Sequence, residues 1–406
     1  MARSRWSLMS AKSDRLLAGR RRTFLQLFLT SLPQNLRNRV AGEYSVNPRP
    51  VAPSNPLLFV PGRLCLFGEH SDWAGSLRTR DAAIAPGACI ITGTDQGITA
   101  TASAAVDFEM TSHLPDGSVR GPFRVAMDGT ALRHAATAGG FFSYAAGVAA
   151  ELWERCRPPG VCISVDHMDL PMSRGLSSSA AVCVLTARAF NQVHQLGLSI
   201  RDEMELAYRG EITAGSQCGR MDQACAYGKR LVLLGFDGDT MRVDLLSSGQ
   251  PLYLLIVDLL HHKDTRRILA DLHAQFLAPD REQTRALRGA LGRGNLALIA
   301  AARAALATGD ARQVGTLMIE AQAVFDRDIA PACPSELTAP RLHALLADPV
   351  VRALTWGGKG VGSQGDGAAQ FVCRGPDERA ALVDHLSAAG AMNCLPLTIM
   401  PPTAST

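Results

Sequence analysis

The sequence predicts an α+β protein built from two lobes. Short apolar runs rich in β-branched residues alternate with longer segments whose apolar residues recur at helical spacing. The chain has 406 residues, whereas a single hydrophobic core usually stops growing at about 250 to 300 residues. We therefore predict an N-terminal lobe over residues 57–240 and a C-terminal lobe over residues 250–395, with a basic extension at 1–56 and a tail at 396–406.

The strands and helices follow in order along the chain. Apolar β-branched runs predict strands at residues 57–60, 63–67, 88–92, 97–103, 161–165, 231–236 and 252–258. Helical spacing predicts helices at residues 141–153, 182–193, 200–211 and 377–389, and a series of helical hairpins at 280–347. A Gly-rich loop at residues 357–367 is predicted to enter a strand at 368–373.

Composition excludes several classes of protein. Hydrophobic residues make up 47% of the chain and charged residues 19%, which is too apolar for a chain that is disordered throughout. The apolar stretches fall well short of the roughly 20 residues that a bilayer-spanning helix needs, so we expect no membrane partner. The ten cysteines are scattered singly without a C-x-x-C pair, which favours reduced, buried thiols and a cytoplasmic location.

The formal net charge of +4 is concentrated near the start of the chain. Residues 1–40 hold nine Lys or Arg against one acid, Asp14, so the remaining residues carry 32 basic and 36 acidic side chains. A mildly acidic body gives no support to nucleic-acid binding. The Arg-rich start is also typical of an organelle transit peptide, but no cleavage pattern is evident, and we favour a disordered extension.

Three segments carry the groups that suggest chemistry. Residues 175–181 combine a glycine, three consecutive hydroxyls and a helix start, and anions bind at helix N-termini because the first N–H groups are unpaired there. Residues 63–73 end a strand in a polar tetrad that suits a polyhydroxyl ligand. For each segment taken alone, a Ser-rich helix cap or a solvated loop is the alternative.

The third segment, residues 360–365, has the form G-x-G-x-x-G. A dinucleotide fingerprint requires a strand before the glycines and a helix after them. Here residues 368–373 follow and look like a strand, so we reject that interpretation. The glycines still indicate a sharp bend or the close approach of another group.

Taken together, these segments resemble the motifs of one superfamily. Residues 61–72 (PGRLCLFGEHSD) resemble the first motif of galactokinases, and residues 175–181 (GLSSSAA) resemble the phosphate loop of the wider GHMP kinase superfamily. Residues 218–223 (CGRMDQ) resemble the galactokinase segment with the catalytic aspartate, and residues 357–367 stand where a third, Gly-rich motif is expected. The order and spacing of these matches agree across residues 57–395.

The resemblance implies a two-lobed GHMP kinase fold, with an N-terminal lobe resembling ribosomal protein S5 domain 2 and a ferredoxin-like C-terminal lobe. It implies an ATP-dependent kinase that transfers the γ-phosphoryl group to a hydroxyl of a sugar or sugar acid, with ATP and Mg²⁺ as cofactors. Such enzymes are expected to be cytoplasmic monomers or homodimers. Phosphoryl transfer depends mainly on positioning and charge neutralisation, which suits a helix N-terminus, a metal and an arginine.

The resemblance also implies roles for individual residues. Asp222 matches the aspartate that takes or orients the proton of the attacking hydroxyl, and Arg63 matches the arginine that keeps it ionised and stabilises charge during transfer. Ser179 and Glu211 match the Mg²⁺ ligands, although the Glu211 interval is that of mevalonate kinases and one residue shorter than in galactokinases. The expected substrate-binding residues are Glu69, His70, Ser71 and Asp72, and the expected ATP-binding residues are Ser173, Arg174, Gly175, Leu176, Ser177, Ser178 and Ser179.

Several residues depart from the galactokinase pattern. Cys65 stands where Asn is usual, Trp73 where Tyr is usual, and Ser173 and Arg174 where Gly is usual. The sugar therefore need not be galactose. A mevalonate-type GHMP kinase is one alternative, against which the polar tetrad argues, and a catalytically silent sugar sensor is another, against which the intact catalytic and metal-binding positions argue.

A further segment, residues 258–267, follows a strand and is dense in hydrogen-bond donors, including Lys263 and Arg266. We predict that part of it lines the substrate pocket and contacts an acidic or polyhydroxyl substrate. The alternative is a solvated helix start capped by Asp264 or Thr265.

Overall fold

The computed structural model describes residues 56–171, 175–390 and 392–402. The predicted basic extension lies outside the described residues except for Pro56, and Ser173 and Arg174 lie outside them as well. Among the described helices, none is both long enough and apolar enough to cross a membrane.

The first sheet has seven strands. They are β1 Leu57–Phe67, β2 Gly87–Ala105, β3 Phe108–His113, β4 Val119–Val125, β5 Gly160–Met168, β6 Leu231–Asp237 and β7 Thr240–Leu246. Their spatial order is β4-β3-β5-β2-β6-β7, with β1 paired to β2. β3 and β5 pair in parallel, whereas β1 lies antiparallel to β2.

The helices associated with this sheet are α1 Ser71–Ser76, α2 Gly129–Thr137, α3 Ser143–Cys156, α4 Ser178–His194 and α5 Ile200–Thr213. α5 starts at its predicted position because Ser199 and Asp202 form a capping box, which satisfies two unpaired N–H groups at the helix start. α4 is buried along most of its length in the main hydrophobic core, so its N-terminus has a fixed position relative to β1.

The second sheet has four antiparallel strands, β8 Leu252–Asp258, β9 Thr355–Gly360, β10 Ala368–Cys373 and β11 Asn393–Ile399, in the order β11-β8-β10-β9. Its helices are α6 Thr265–Leu277, α7 Glu282–Gly289, α8 Asn295–Thr308, α9 Ala311–Val324, α10 Pro334–Leu337, α11 Pro340–Ala347, α12 Pro349–Leu354 and α13 Pro376–Gly390. The predicted helical character of residues 280–347 is therefore confirmed, because α7 to α11 lie within this segment.

Two sequence-based assignments need correction. Two strands were expected at 88–92 and 97–103, but β2 is continuous because its middle pairs with the irregular part of β1 around Pro61 and Arg63. The start of the Gly-rich segment 357–367 is strand β9 rather than loop. Glycine is required there because a Cβ on Gly357 would lie 2.1 Å from the Gly315 carbonyl oxygen of α9.

Both sheets extend beyond the residues at which the two lobes were predicted to end. β7 carries the first sheet to Leu246, beyond residue 240, and β11 carries the second sheet to Ile399, beyond residue 395. Residues 360–365 connect two antiparallel strands. This β-β connection agrees with the rejection of a dinucleotide fingerprint.

Buried polar contacts join the two sheets. The Gln370 side chain of β10 donates to the Cys65 carbonyl of β1 at 2.7 Å, and Lys359 of β9 forms a buried ion pair with Glu69. The Asn295 side chain at the start of α8 donates to the Ala88 carbonyl of β2 at 2.8 Å. Because each donor is satisfied by the opposite side, these contacts fix one sheet against the other.

Candidate active site

A cavity of about 890 Å³ brings the predicted chemical segments together. Its wall includes Arg63 and Asp72 from the first segment, Ser177–Ser179 from the phosphate-loop segment, and Glu211 and Asp222. These residues are distant in sequence, and β1, α4, α5 and the short 3₁₀ helix Asp222–Tyr227 carry them to one place. The predicted catalytic, metal-binding and phosphate-binding groups are therefore neighbours.

Arg63 is the centre of this arrangement. It is only 2% exposed, and its guanidinium forms an ion pair with the Asp222 carboxylate. Its backbone N–H donates to the Leu176 carbonyl at 3.0 Å, so the irregular part of β1 is tied directly to the phosphate-loop segment. Arg63 thus fixes the position of the Asp222 carboxylate relative to the start of α4.

Asp72 lies close to Asp222, and two residues of the 218–223 motif contact its carboxylate. Its Oδ2 accepts from the backbone N–H of Met221 at 3.2 Å. Gly219 is packed so closely that a Cβ there would lie 1.8 Å from Asp72 Oδ2. Burial, and next the negative charge of Asp222, raise the pKa of Asp72 to about 6.

The close approach at Gly219 predicts a large effect of a single methyl group. We expect Gly219→Ala to displace the Asp72 carboxylate and to lower the free energy of unfolding by about 1 to 3 kcal/mol, because overpacking forces neighbouring groups to shift. Urea denaturation measures this change. Gly289→Ala is the matched control because a Cβ there meets nothing within 4 Å, and equal stability losses in both variants would contradict the predicted clash.

The raised pKa of Asp72 predicts a specific pH dependence of stability. Between 3.8 and about 6, the native state holds a proton that the unfolded chain has released, so the free energy of unfolding falls as the pH rises. Asp72→Asn removes this titration and keeps an acceptor for the Met221 amide. We expect the variant to gain on the order of 2 kcal/mol over the wild type across this window, measured by urea denaturation without ligands. A difference independent of pH would count against the assignment.

His70 and Trp73 form the next part of the wall. His70 directly precedes α1 and has a left-handed backbone conformation with φ of 66°. It lines the cavity at the N-terminus of that helix. Trp73 Nε1 donates to His70 Nδ1 at 3.2 Å. Burial, and next the charge of Lys263, lower the pKa of His70 to about 3, so the imidazole is neutral at physiological pH.

The other two members of the polar tetrad do not line this cavity. The Ser71 hydroxyl lies 2.7 Å from both the Gly68 and the Ala88 carbonyl oxygens, where it fixes the turn into α1. Glu69 is ion-paired with Lys359 and lines a separate cavity of about 320 Å³. Among the four residues, the structure brings only His70 and Asp72 to the wall of the large cavity.

The phosphate-loop segment has the properties of an anion site. Ser177 precedes α4 with φ of 58°, and α4 has no side-chain cap from the part of the chain that the structure describes. The Ser177 hydroxyl is buried without a hydrogen-bond partner among the described residues. Gly175, with φ of 80°, lines the cavity, whereas Leu176 is buried in the core. An orphaned hydroxyl and an uncapped helix N-terminus fit phosphate oxygens.

Ser179 and Glu211 fit a magnesium ion. The Ser179 hydroxyl is hydrogen-bonded to the Glu211 carboxylate, which also accepts from Gln223 Nε2 at 2.7 Å. Burial, and next the charge of Asp222, raise the pKa of Glu211 to about 7. Within the described ranges there is no group of three or more His, Cys, Asp or Glu residues placed to hold a metal ion by themselves. Mg²⁺ is typically held by one or two carboxylates together with phosphates and water, and the Glu211 carboxylate beside the Ser179 hydroxyl is a donor set of that kind.

The donor-rich segment also lines the cavity. Residues 262–266 line the cavity, and Lys263 is buried with its ammonium donating to the Val361 and Gln364 carbonyls at 3.2 and 2.6 Å. α6 begins at Thr265, and its N-terminal Asp264 side chain accepts from the Arg267 N–H at 3.1 Å. The predicted helix cap and the predicted pocket wall are therefore both present in the same segment.

Sequence reasoning missed two residues of the site, Tyr144 and Gly219, and the buried Lys359 of the separate cavity. Tyr144 at the start of α3 is hydrogen-bonded with Arg266 and lines the cavity, but no local pattern marks it. Lys359 lies between glycines in the sequence. A single lysine in such a segment was the sequence signal from which a buried charge could have been predicted. Gly219 lies inside the recognised 218–223 motif, yet its close approach to Asp72 depends on the tertiary structure.

Comparisons with known proteins show what the chain is similar to. Residues 143–229 match the family model for the GHMP kinases N terminal domain. A galactokinase of Streptomyces coelicolor is 26% identical over 339 residues, covering 74% of this chain and 81% of that protein. A galactokinase of Lactiplantibacillus plantarum is 29% identical over 192 residues, so the match spans 46% of this chain and 45% of that protein.

Solved structures show the same fold. Lactococcus lactis galactokinase complexed with galactose superposes with a TM-score of 0.65 at 16% identity, covering 86% of this chain and 95% of that chain. Methanococcus jannaschii mevalonate kinase gives a TM-score of 0.64 at 16% identity, covering 86% of this chain and 99% of that chain. The predicted α+β GHMP kinase fold is confirmed, while the resemblance of each lobe to a named domain stays a prediction.

The fold and the domain match together define the class of protein: the chain has the fold of GHMP kinases, and its residues 143–229 match the N-terminal domain of that family. By sequence the chain is similar to galactokinases, the name that both of the relatives above carry.

Proposed function

We propose that this protein is an ATP-dependent kinase that phosphorylates a hydroxyl of a sugar or sugar acid. One observation carries the proposal: the uncapped start of α4, the Arg63–Asp222 ion pair and the Ser179–Glu211 pair share one cavity. Phosphoryl transfer needs an anion site, a metal site and a carboxylate beside the attacking hydroxyl. The relatives named galactokinase support a sugar as the substrate.

Each group has a role in the proposed reaction. Asp222 accepts the proton of the substrate hydroxyl as that oxygen attacks, and Arg63 holds the carboxylate in place and stabilises negative charge beside it. The first N–H groups of α4 and the Ser177 hydroxyl bind phosphate oxygens. Ser179 and Glu211 hold Mg²⁺, which neutralises phosphate charge when bound.

The substrate side of the cavity favours a polyhydroxyl compound. Neutral His70, the Asp72 carboxylate and the donor-rich residues 262–266 all line it. Paired donors and acceptors of this kind suit sugar hydroxyls. A mevalonate-type kinase is the second candidate, because the Glu211 to Asp222 interval and a mevalonate kinase fold match favour it. The cytoplasmic location and the monomeric or homodimeric state remain predictions.

The test combines binding with turnover. Purified protein is first screened for ligand-induced thermal stabilisation with aldoses, uronic acids and mevalonate, because a ligand that binds only the native state raises apparent stability. ADP release with ATP and Mg²⁺ is then measured for each compound. We expect a sugar or sugar acid both to stabilise the protein and to be turned over. Turnover of mevalonate alone supports the second candidate, and saturable sugar binding without turnover would indicate a sensor.

A further inference from the structure

Lys263 holds the turn that connects β9 to β10. Its side chain is buried, and its ammonium donates to the Val361 carbonyl at 3.2 Å and to the Gln364 carbonyl at 2.6 Å. The turn is closed by the Gln364 N–H, which donates to the same Val361 carbonyl at 3.1 Å. Gln364 has φ of 65°, a conformation that is unfavourable for a residue with a Cβ. The ammonium therefore stabilises a turn that the backbone by itself disfavours.

The glycines that follow this turn leave room for the lysine. A Cβ on Gly367 would lie 2.7 Å from Lys263 Cε and 2.9 Å from Nζ, and the three atoms nearest to that Cβ all belong to Lys263. A Cβ on Gly365 would lie 3.7 Å from Lys263 Cδ. Part of the close approach that the Gly-rich segment indicated is therefore the approach of the Lys263 side chain.

The same turn contacts the phosphate-loop segment. A Cβ on Gly175 would lie 3.0 Å from the Val361 carbonyl oxygen, which is one of the two oxygens that accept from Lys263. A Cβ on Gly362 would lie 2.9 Å from the Gly175 carbonyl oxygen. Both glycines line the large cavity. Because two backbones are packed directly against each other here, a shift of the turn is transmitted to Gly175.

We propose that Lys263 is a positioning residue for the nucleotide site. Its ammonium fixes the turn at residues 361–364, and the turn supports Gly175 just before the start of α4, where phosphate oxygens would bind. Lys263 thus acts through the backbone of the turn and not by contact with the substrate. This inference rests on the proposed function for the nucleotide, whereas the contacts between Lys263 and the turn do not.

Calorimetric titration of the whole protein with a non-hydrolysable ATP analogue and Mg²⁺, without sugar, tests this role. We expect Lys263→Ala to weaken the affinity by about tenfold, because a misplaced anion site loses hydrogen bonds to phosphate. Gly367→Ala keeps the positive charge but pushes the ammonium off its carbonyls, and we expect a loss of similar size. The fold should tolerate Gly367→Ala, because the atoms that the new Cβ meets are the end of a flexible side chain, so this variant decides the question even where Lys263→Ala does not fold.

Two controls separate this effect from a general one. Lys229→Met removes an exposed lysine outside the cavity wall, and Gly289→Ala adds a Cβ that meets nothing within 4 Å, so both should bind the analogue as the wild type does. In the Lys263→Ala background, adding Gly367→Ala should change the affinity less than about twofold. Wild-type affinity for Gly367→Ala, or additive losses in the double variant, overturns the positioning role.

Hydrogen exchange of the unliganded protein, followed by mass spectrometry, gives a readout that needs no nucleotide. We expect Lys263→Ala to speed exchange both in residues 361–367 and in the first turn of α4, with α5 unchanged. Faster exchange confined to residues 361–367 would contradict support of the phosphate loop. If the wild type binds no nucleotide, the proposed function fails, and the exchange result still decides whether Lys263 supports Gly175.

Discussion

Asp222→Asn is expected to lower kcat by about 10²- to 10⁴-fold and to leave nucleotide affinity within about threefold of the wild type. Asn has nearly the same shape as Asp, but it can neither accept the proton of the attacking hydroxyl nor carry the charge that pairs with Arg63. The nucleotide site is built from the start of α4 and should persist. Steady-state ADP release measures kcat, and calorimetric titration with a non-hydrolysable ATP analogue measures affinity.

Asp239→Asn is the control for this variant, because Asp239 is exposed and lies outside the cavity wall. Its kcat should equal that of the wild type. A kcat for Asp222→Asn within about threefold of the control would mean that another group accepts the proton. A loss of nucleotide affinity without a loss of kcat would assign Asp222 to binding instead.

Lys359→Met is expected to lower the free energy of unfolding by about 3 to 5 kcal/mol, which is the usual cost of removing one partner from a buried ion pair. The Lys359 side chain is 1% exposed and the Glu69 side chain 6% exposed, so neither water nor a surface counterion can replace the missing charge. Guanidinium or urea denaturation at neutral pH gives the difference. The destabilisation is expected because Glu69 would remain buried without a cation.

An exposed ion pair supplies the matched control for Lys359→Met. Lys229 pairs with Asp95, and these side chains are 56% and 47% exposed. Lys229→Met should cost no more than about 1 kcal/mol. The double variant Lys359→Met with Glu69→Gln should recover part of the lost stability, because the unpaired charge is removed. Equal losses for Lys359→Met and Lys229→Met are incompatible with a buried pair.

Much of the site was predictable from local patterns. The start of α5 follows from its Ser and Asp caps, and the start of α4 follows from a glycine and serines before an apolar run. The groups at residues 63, 179, 211 and 222 were recognised from motif order, and the structure brings them to one cavity. These patterns are local in sequence, so they can be recognised without knowledge of the tertiary structure.

The unpredicted features depend on contacts between distant residues. Four consecutive polar residues were assigned together to the substrate, but the left-handed backbone at His70 sends Glu69 and Asp72 to different cavities. Glu69 meets Lys359, which is 290 positions away in sequence. β2 was divided in two because its middle looks like a turn, whereas the irregular course of β1 keeps it paired.

The buried contacts at Gln370, Lys359 and Asn295 restrict how the two sheets can move apart. Hinging the sheets apart along that side would separate an ion pair and two hydrogen bonds that have no access to water. The contact between half-buried Tyr144 of α3 and exposed Arg266 of α6 is less buried, and water can replace it at little cost. If the sheets separate, we therefore expect the contact between α3 and α6 to break before the buried contacts do.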